Sequence, residues 1–157
     1  MDPTLEQRIR RLEDIEAIVR LKARYCQACD DDHNPGRVAA CFVEDGLWEG
    51  ANIGVHARGH AAIKAYIGGV RDSGRIRSSA HMVSNPIVTV DGDEATGQWR
   101  LLMLYSGSAA DGGMQYQRII GFYDDGFVRV GGAWLFSALR VTVEAAGPYT
   151  VEDNRLG

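Results

Sequence analysis

At 157 residues, 45% hydrophobic and 24% charged, the chain is sized for one domain around one core, and a second independent core is excluded. A net charge of −4, with Lys and Arg scattered along the sequence, supplies no basic field for nucleic acid. No apolar run approaches the roughly 20 residues that span a bilayer, and the charged amino terminus lacks a signal-peptide core, so neither a membrane partner nor secretion is expected.

Leu5, Ile9, Leu12, Ile15 and Val19 recur at helical spacing and predict a long first helix with one apolar stripe. Thr4 and Gln7 form a capping-box pattern, with Asp2 before Pro3 as an equal alternative start. The helix is expected to end near Cys29, ahead of Asp30-Asp31-Asp32. Cys26-Gln27-Ala28-Cys29 has the spacing of redox and zinc sites, but no second ligand pair follows. Three cysteines, with Cys41 the third, read as packed thiols of a cytoplasmic protein.

Asn34 and Pro35 open a short helix expected to run through Phe42. A small hairpin around Leu47-Trp48-Glu49 and Val55 to Arg58 comes next, then a third helix from His60 to Val70 and a polar connection from Arg71 to Ser79. Val83 to Val90, Glu94 to Tyr105, Met114 to Tyr123 and Ala133 to Val143 are the predicted strands of an antiparallel meander. Three helices before a meander predict an α+β fold, one domain over 1–157, with the helices on one face of a curved sheet. From Trp99 to Tyr105 apolar side chains occupy both strand faces, so the second face lines a cavity or meets another subunit.

The chain resembles the SnoaL-like branch of the nuclear-transport-factor-2-like (NTF2-like) superfamily over almost its whole length. The resemblance is carried by Ile15-Glu16-Ala17-Ile18 through Arg24-Tyr25, Asp30, Phe42 to Gly46, Arg58-Gly59-His60-Ala61-Ala62-Ile63, His81-Met82-Val83-Ser84-Asn85-Pro86, Val90 to Ala95 and Gly132-Ala133-Trp134-Leu135-Phe136. It implies a cone in which three helices pack on a curved, mixed or antiparallel sheet around one pocket. It also implies a dehydratase- or dehydrohalogenase-type lyase that pairs an Asp at the end of the first helix with a His at the start of a central strand. Asp30 and His81 match those positions, and Tyr25 stands where bile acid 7α-dehydratase has a Tyr. Scytalone dehydratase and the bile acid enzyme place a further ionisable group on the following strand, where Leu101 to Tyr105 offers only Tyr105. Ketosteroid isomerases, polyketide cyclases, non-catalytic binding or oligomerisation domains and small subunits of ring-hydroxylating dioxygenases resemble the same fold.

An elimination needs a base near neutral pH and a donor for the departing group. His81 oriented by Asp30 meets the first need, and Tyr25 the second. His81 as a satisfied core histidine and Tyr25 as a packed aromatic remain the alternatives. Five helical residues separate Tyr25 from Asp30 by about 140° beyond a full turn, so the two converge only if the helix ends between them. Asp31 and Asp32 read as a solvated cap, either being an alternative partner for His81. His33, His56 and His60 read as surface or capping groups. Trp48, Tyr66, Trp99, Met103 and Tyr105 are candidate pocket walls, and Arg118 and Arg129 candidate partners for a leaving group or substrate carboxylate. No phosphate-loop context and no convergent ligand set is present, so no cofactor and no metal is expected. The expected partners are a small-molecule substrate and further copies of the chain, trimer first and dimer second.

Overall fold

The computed structural model describes residues 3–149. Helix α1 spans Leu5–Asp30, and its start carries both capping-box bonds between Thr4 and Gln7; the alternative start at Asp2 lies outside the described residues. Helix α2 spans Pro35–Ala39 with Asn34 as its cap, shorter than expected because Phe42 already begins strand β1, Phe42–Gly50. Strand β2, Val55–Arg58, returns antiparallel to β1 and leads into helix α3, Gly59–Asp72. Strands β3 (Ser78–Asp91), β4 (Glu94–Ser108), β5 (Met114–Val130) and β6 (Ala133–Pro148) form the antiparallel meander.

All six strands join one curved mixed sheet in the order β2-β1-β6-β5-β4-β3, because β1 runs parallel beside β6. The helices cover one face. Tyr25, Phe42, Phe127 and Phe136 meet in the core through ring centroids 4.9 to 6.3 Å apart. Among the described residues no helix is long and apolar enough to cross a membrane.

Two sequence expectations need correction. The stripe of α1 is only partly a core face: Leu5, Ile9 and Leu12 are exposed, and burial begins at Ile18, Leu21, Lys22 and Tyr25. The first turns project past the sheet, whose edge is met at Asp14. There Arg129 grips Asp14 through two bonds of 2.7 and 2.8 Å, and Trp134 donates its indole N–H to the same carboxylate. The second correction lies in β5, which runs on through Asp124 to Val130, inside the stretch expected to separate the strands ending at Tyr123 and starting at Ala133. Asp125 faces inward instead, its carboxylate 2.8 Å from the Lys22 ammonium, with both side chains wholly buried. A long-range charge partner thus overrides local turn chemistry.

Candidate active site

The last turn of α1 and the first residues of β3 build the polar end of the site. A carboxylate on the helix end meets the backbone and side chains of a strand that passes beside it. Asp30 accepts the His81 backbone N–H at 2.9 Å, the Ser79 hydroxyl at 2.8 Å and the His81 ring at Nδ1, 2.6 Å away. Burial alone pushes the Asp30 carboxyl up, but the His81 ring and backbone bonds and the Ser79 bond outweigh it and hold Asp30 below its ordinary value. With Nδ1 engaged, the Nε2 edge of His81 is left for the cavity that His81 helps to line.

That cavity encloses about 130 Å³ between α1, α3 and the inner face of the sheet. This is below the roughly 300 Å³ of ordinary ligand pockets but comparable with the ~150 Å³ that holds a benzene ring. Its walls are mostly apolar: Ile67 and Val70 from α3, Leu101 and Met103 from β4, Ile119 from β5 and Val141 and Val143 from β6. Polar groups enter from Tyr25, Cys29, His33, Trp48, Tyr66, Tyr123 and His81. The Tyr25 hydroxyl accepts the Trp48 indole N–H at 2.8 Å, and Trp48 leans on Tyr66 with centroids 4.5 Å apart. Burial pushes the Tyr25 phenol well above its ordinary value, so it stays protonated and able to donate.

Of the expected wall residues, Trp48, Tyr66 and Met103 line the cavity, together with Tyr25 and His81, while Asp30 stands behind His81. The helix continues to Asp30, so Tyr25 and Asp30 do not converge through a break; they meet the site from different sides, Asp30 through His81. Four expected residues lie elsewhere. Trp99 is buried in the core with its indole N–H unpartnered, and is not a wall of the cavity. Tyr105 shares the inward parity of Met103 but lies two residues further along β4, in an outer groove with Tyr66, Val70 and Ile76. Arg118 neighbours the inward Ile119, so strand alternation turns it outward, where it donates to the Pro148 carbonyl. Arg129 is inward but sits at the far end of β5, held by Asp14 and Asp93. Asp31 pairs with Arg37, which leaves Asp30 as the partner of His81.

His33 and Tyr123 are the polar lining residues that sequence reasoning missed. His33 is buried rather than on the surface, because the chain after Asp31 turns inward through two residues of positive φ, Asp32 at 53° and His33 at 47°. The His33 N–H bonds to the Cys29 carbonyl and the Asn34 N–H to the Ala28 carbonyl, and the two bonds close the helix end through these left-handed residues. Glycine is the usual signal for that closure, and none stands here. Tyr123 is fixed from behind by Lys22, whose ammonium lies 3.2 Å from its ring centroid. Cys26, Cys29 and Cys41 are free and buried, and burial pushes Cys29 and Cys26 upward, Cys26 to about 11, which makes them packed thiols. Among the described residues no three His, Cys, Asp or Glu side chains converge as metal ligands.

Solved structures share this architecture. A Novosphingobium aromaticivorans DSM 12444 protein with a provisional scytalone dehydratase assignment is 26% identical, with a TM-score of 0.77 over 90% of this chain and 91% of its own. An NTF2-like protein with a cystatin-like fold from Novosphingobium aromaticivorans is 27% identical, with a TM-score of 0.71 over 92% of each chain. The hexachlorocyclohexane dehydrochlorinase LinA-type3 of Novosphingobium barchaimii LL02, at 24% identity and a TM-score of 0.76 over 90% of this chain and 94% of its own, shares the fold. No curated protein matches the sequence significantly. Residues 10–140 match the SnoaL-like domain, and with the cystatin-like, NTF2-like architecture around it the chain belongs to the SnoaL-like family.

Proposed function

We propose that the chain is a cofactor-independent lyase that eliminates water or a halide from a small, mostly apolar ring. The observation that supports this most directly is the 2.6 Å bond between Asp30 and His81 Nδ1, with the remaining edge of His81 on the cavity. His81 Nε2 takes a proton from carbon, the electrons of the C–H bond form the double bond, and the bond to the departing group breaks. Asp30 fixes the ring tautomer and stabilises the imidazolium. Tyr25 donates a hydrogen bond to the departing group as charge develops there. When that group is hydroxide, the imidazolium returns the proton and water leaves; a halide leaves as the anion and the proton passes to solvent.

A space of about 130 Å³ favours one six-membered ring over fused rings. The buried thiols favour a reducing, cytoplasmic setting. Assembly as a homo-oligomer, trimer before dimer, is the reading we attach to Met82, Ile87 and Leu102, exposed on the sheet face away from the helices. The test is a panel of hydroxylated and chlorinated cyclohexanes, followed by product analysis with the unaltered protein and His81→Gln. Turnover lost in the variant supports the reading. Equal turnover in both refutes His81 as the base, and proton exchange into cyclic ketones without elimination would transfer the dyad to an isomerase.

A further inference from the structure

His33 presents a largely buried imidazole to the cavity. It is 7% exposed, its ring nitrogens make no hydrogen bond to the described residues, and they remain within reach of water. Its ring centroid lies 6.2 Å from that of His81, at an interplanar angle of 63°. The backbone that holds it there is in the left-handed region at both Asp32 and His33, where a side chain is accommodated less readily than glycine. The backbone bonds to Ala28 and Cys29 hold that turn and so keep the ring at the cavity.

We infer that His33 hydrogen-bonds an oxygen substituent on the ligand, which makes the ligand class an oxygenated ring, an alcohol, phenol or ketone, in preference to a purely halogenated one. This deepens the elimination reading and rests on it for the reaction, though not for the binding. The Tyr25 hydroxyl accepts from Trp48 and keeps its proton for the departing group, and the Nδ1 of His81 is held by Asp30. Burial, and next the neighbouring His81, hold the His33 imidazole below its ordinary value, outweighing Asp30 and Asp32, so it is neutral at pH 7. A neutral imidazole has one N–H and one lone pair, so it can donate to a carbonyl or hydroxyl oxygen and accept from a hydroxyl. Carbon-bound chlorine offers neither a donor nor a good acceptor. An oxygen bound by His33 and a C–H presented to His81 then lie on the same side of one small ring.

Phenol and toluene test this, since they match in shape and differ in the hydroxyl. With imidazole-labelled protein followed by nitrogen NMR, phenol is expected to move the His33 ring resonances and toluene to leave them in place. Calorimetric titration should show the ratio of phenol to toluene dissociation constants rising about tenfold in His33→Asn, as expected for one lost hydrogen bond, with toluene binding within about twofold of the unaltered protein. Asparagine tolerates the left-handed backbone, so the turn survives the exchange. Unmoved His33 resonances in phenol-saturated protein, or a ratio unchanged in His33→Asn, would overturn the assignment. Neither measurement requires turnover, so failure here leaves the His81 elimination test standing, and failure of that test leaves this one standing.

Discussion

Removing the Lys22 charge tests whether the wholly buried ion pair behind the cavity is held by its partners or merely tolerated. Its ammonium and the Asp125 carboxylate are 2.8 Å apart, neither side chain has any exposure, and the second Asp125 oxygen has no partner. Burial pushes Lys22 down and Asp125 up to about 6, against their mutual attraction, so desolvation is the larger effect on each. Breaking such a pair from one side strands a buried charge and is expected to destabilise by about 3–5 kcal/mol. Lys22→Met should therefore lower the melting temperature by roughly 6–20 °C, at ~2–4 °C per kcal/mol for a chain of this size. Lys22→Met with Asp125→Leu should recover to within about 1 kcal/mol of the unaltered protein, since both charges are then gone. Urea unfolding of the two singles and the double provides the cycle. A Lys22→Met loss under about 1 kcal/mol, or a double variant as unstable as the summed singles, would refute the reasoning.

His81→Gln should lower any elimination rate by about 10²- to 10⁴-fold with an unchanged circular dichroism spectrum, and Asp30→Asn should lose less, because it removes orientation and not the base. Asp30 is held below its ordinary carboxyl value in the folded state, so its bonds stabilise above the unfolded value near pH 4 and are lost as pH falls through the lower folded one. The stability gap between the unaltered protein and Asp30→Asn should accordingly be full above about pH 5 and close below it, measured by urea midpoints. Asp14→Ala, which leaves the Trp134 indole N–H without its partner and Arg129 with Asp93 alone, should lower the urea midpoint measurably, and an unchanged midpoint would reduce that clamp to a surface contact. Light scattering at micromolar concentration should return a trimer or dimer, and a monomer would refute assembly through the free sheet face.

The order of elements and the Asp30–His81 contact were legible in the sequence because each rests on local periodicity or on motif position. The capping box, the Asn34 cap and the alternation of β4 depend on neighbours within a few residues. What was not legible depends on distant partners. Asp124 to Val130 reads as part of a connection until Lys22, 103 residues before Asp125, is known to sit beneath it. Arg129 and Arg118 have the same composition signal, yet strand parity and position along β5 send one to Asp14 and the other to the outer face. His33 was hidden because its turn uses Asp and His where glycine would have announced a left-handed residue. The exposed first turns of α1 carry the same apolar spacing as its buried turns, and spacing alone does not say where the sheet ends.

The parallel seating of β1 against β6 governs the order in which the protein can be made. Phe42 lies beside Phe136 and Trp48 beside Leu139, roughly 90 residues apart in the chain, a distance that takes about 5–20 s to translate. Until β6 leaves the ribosome, β1 has only the short β2 for a neighbour, and Phe42 lacks Phe136 to pack against. The meander of β3 to β5 can zip locally, but closure of the core is a late, long-loop event with an entropic barrier. Nascent chains arrested before residue 136 should be protease-sensitive and chaperone-bound, and release of the last strand should convert them to a resistant form in one step.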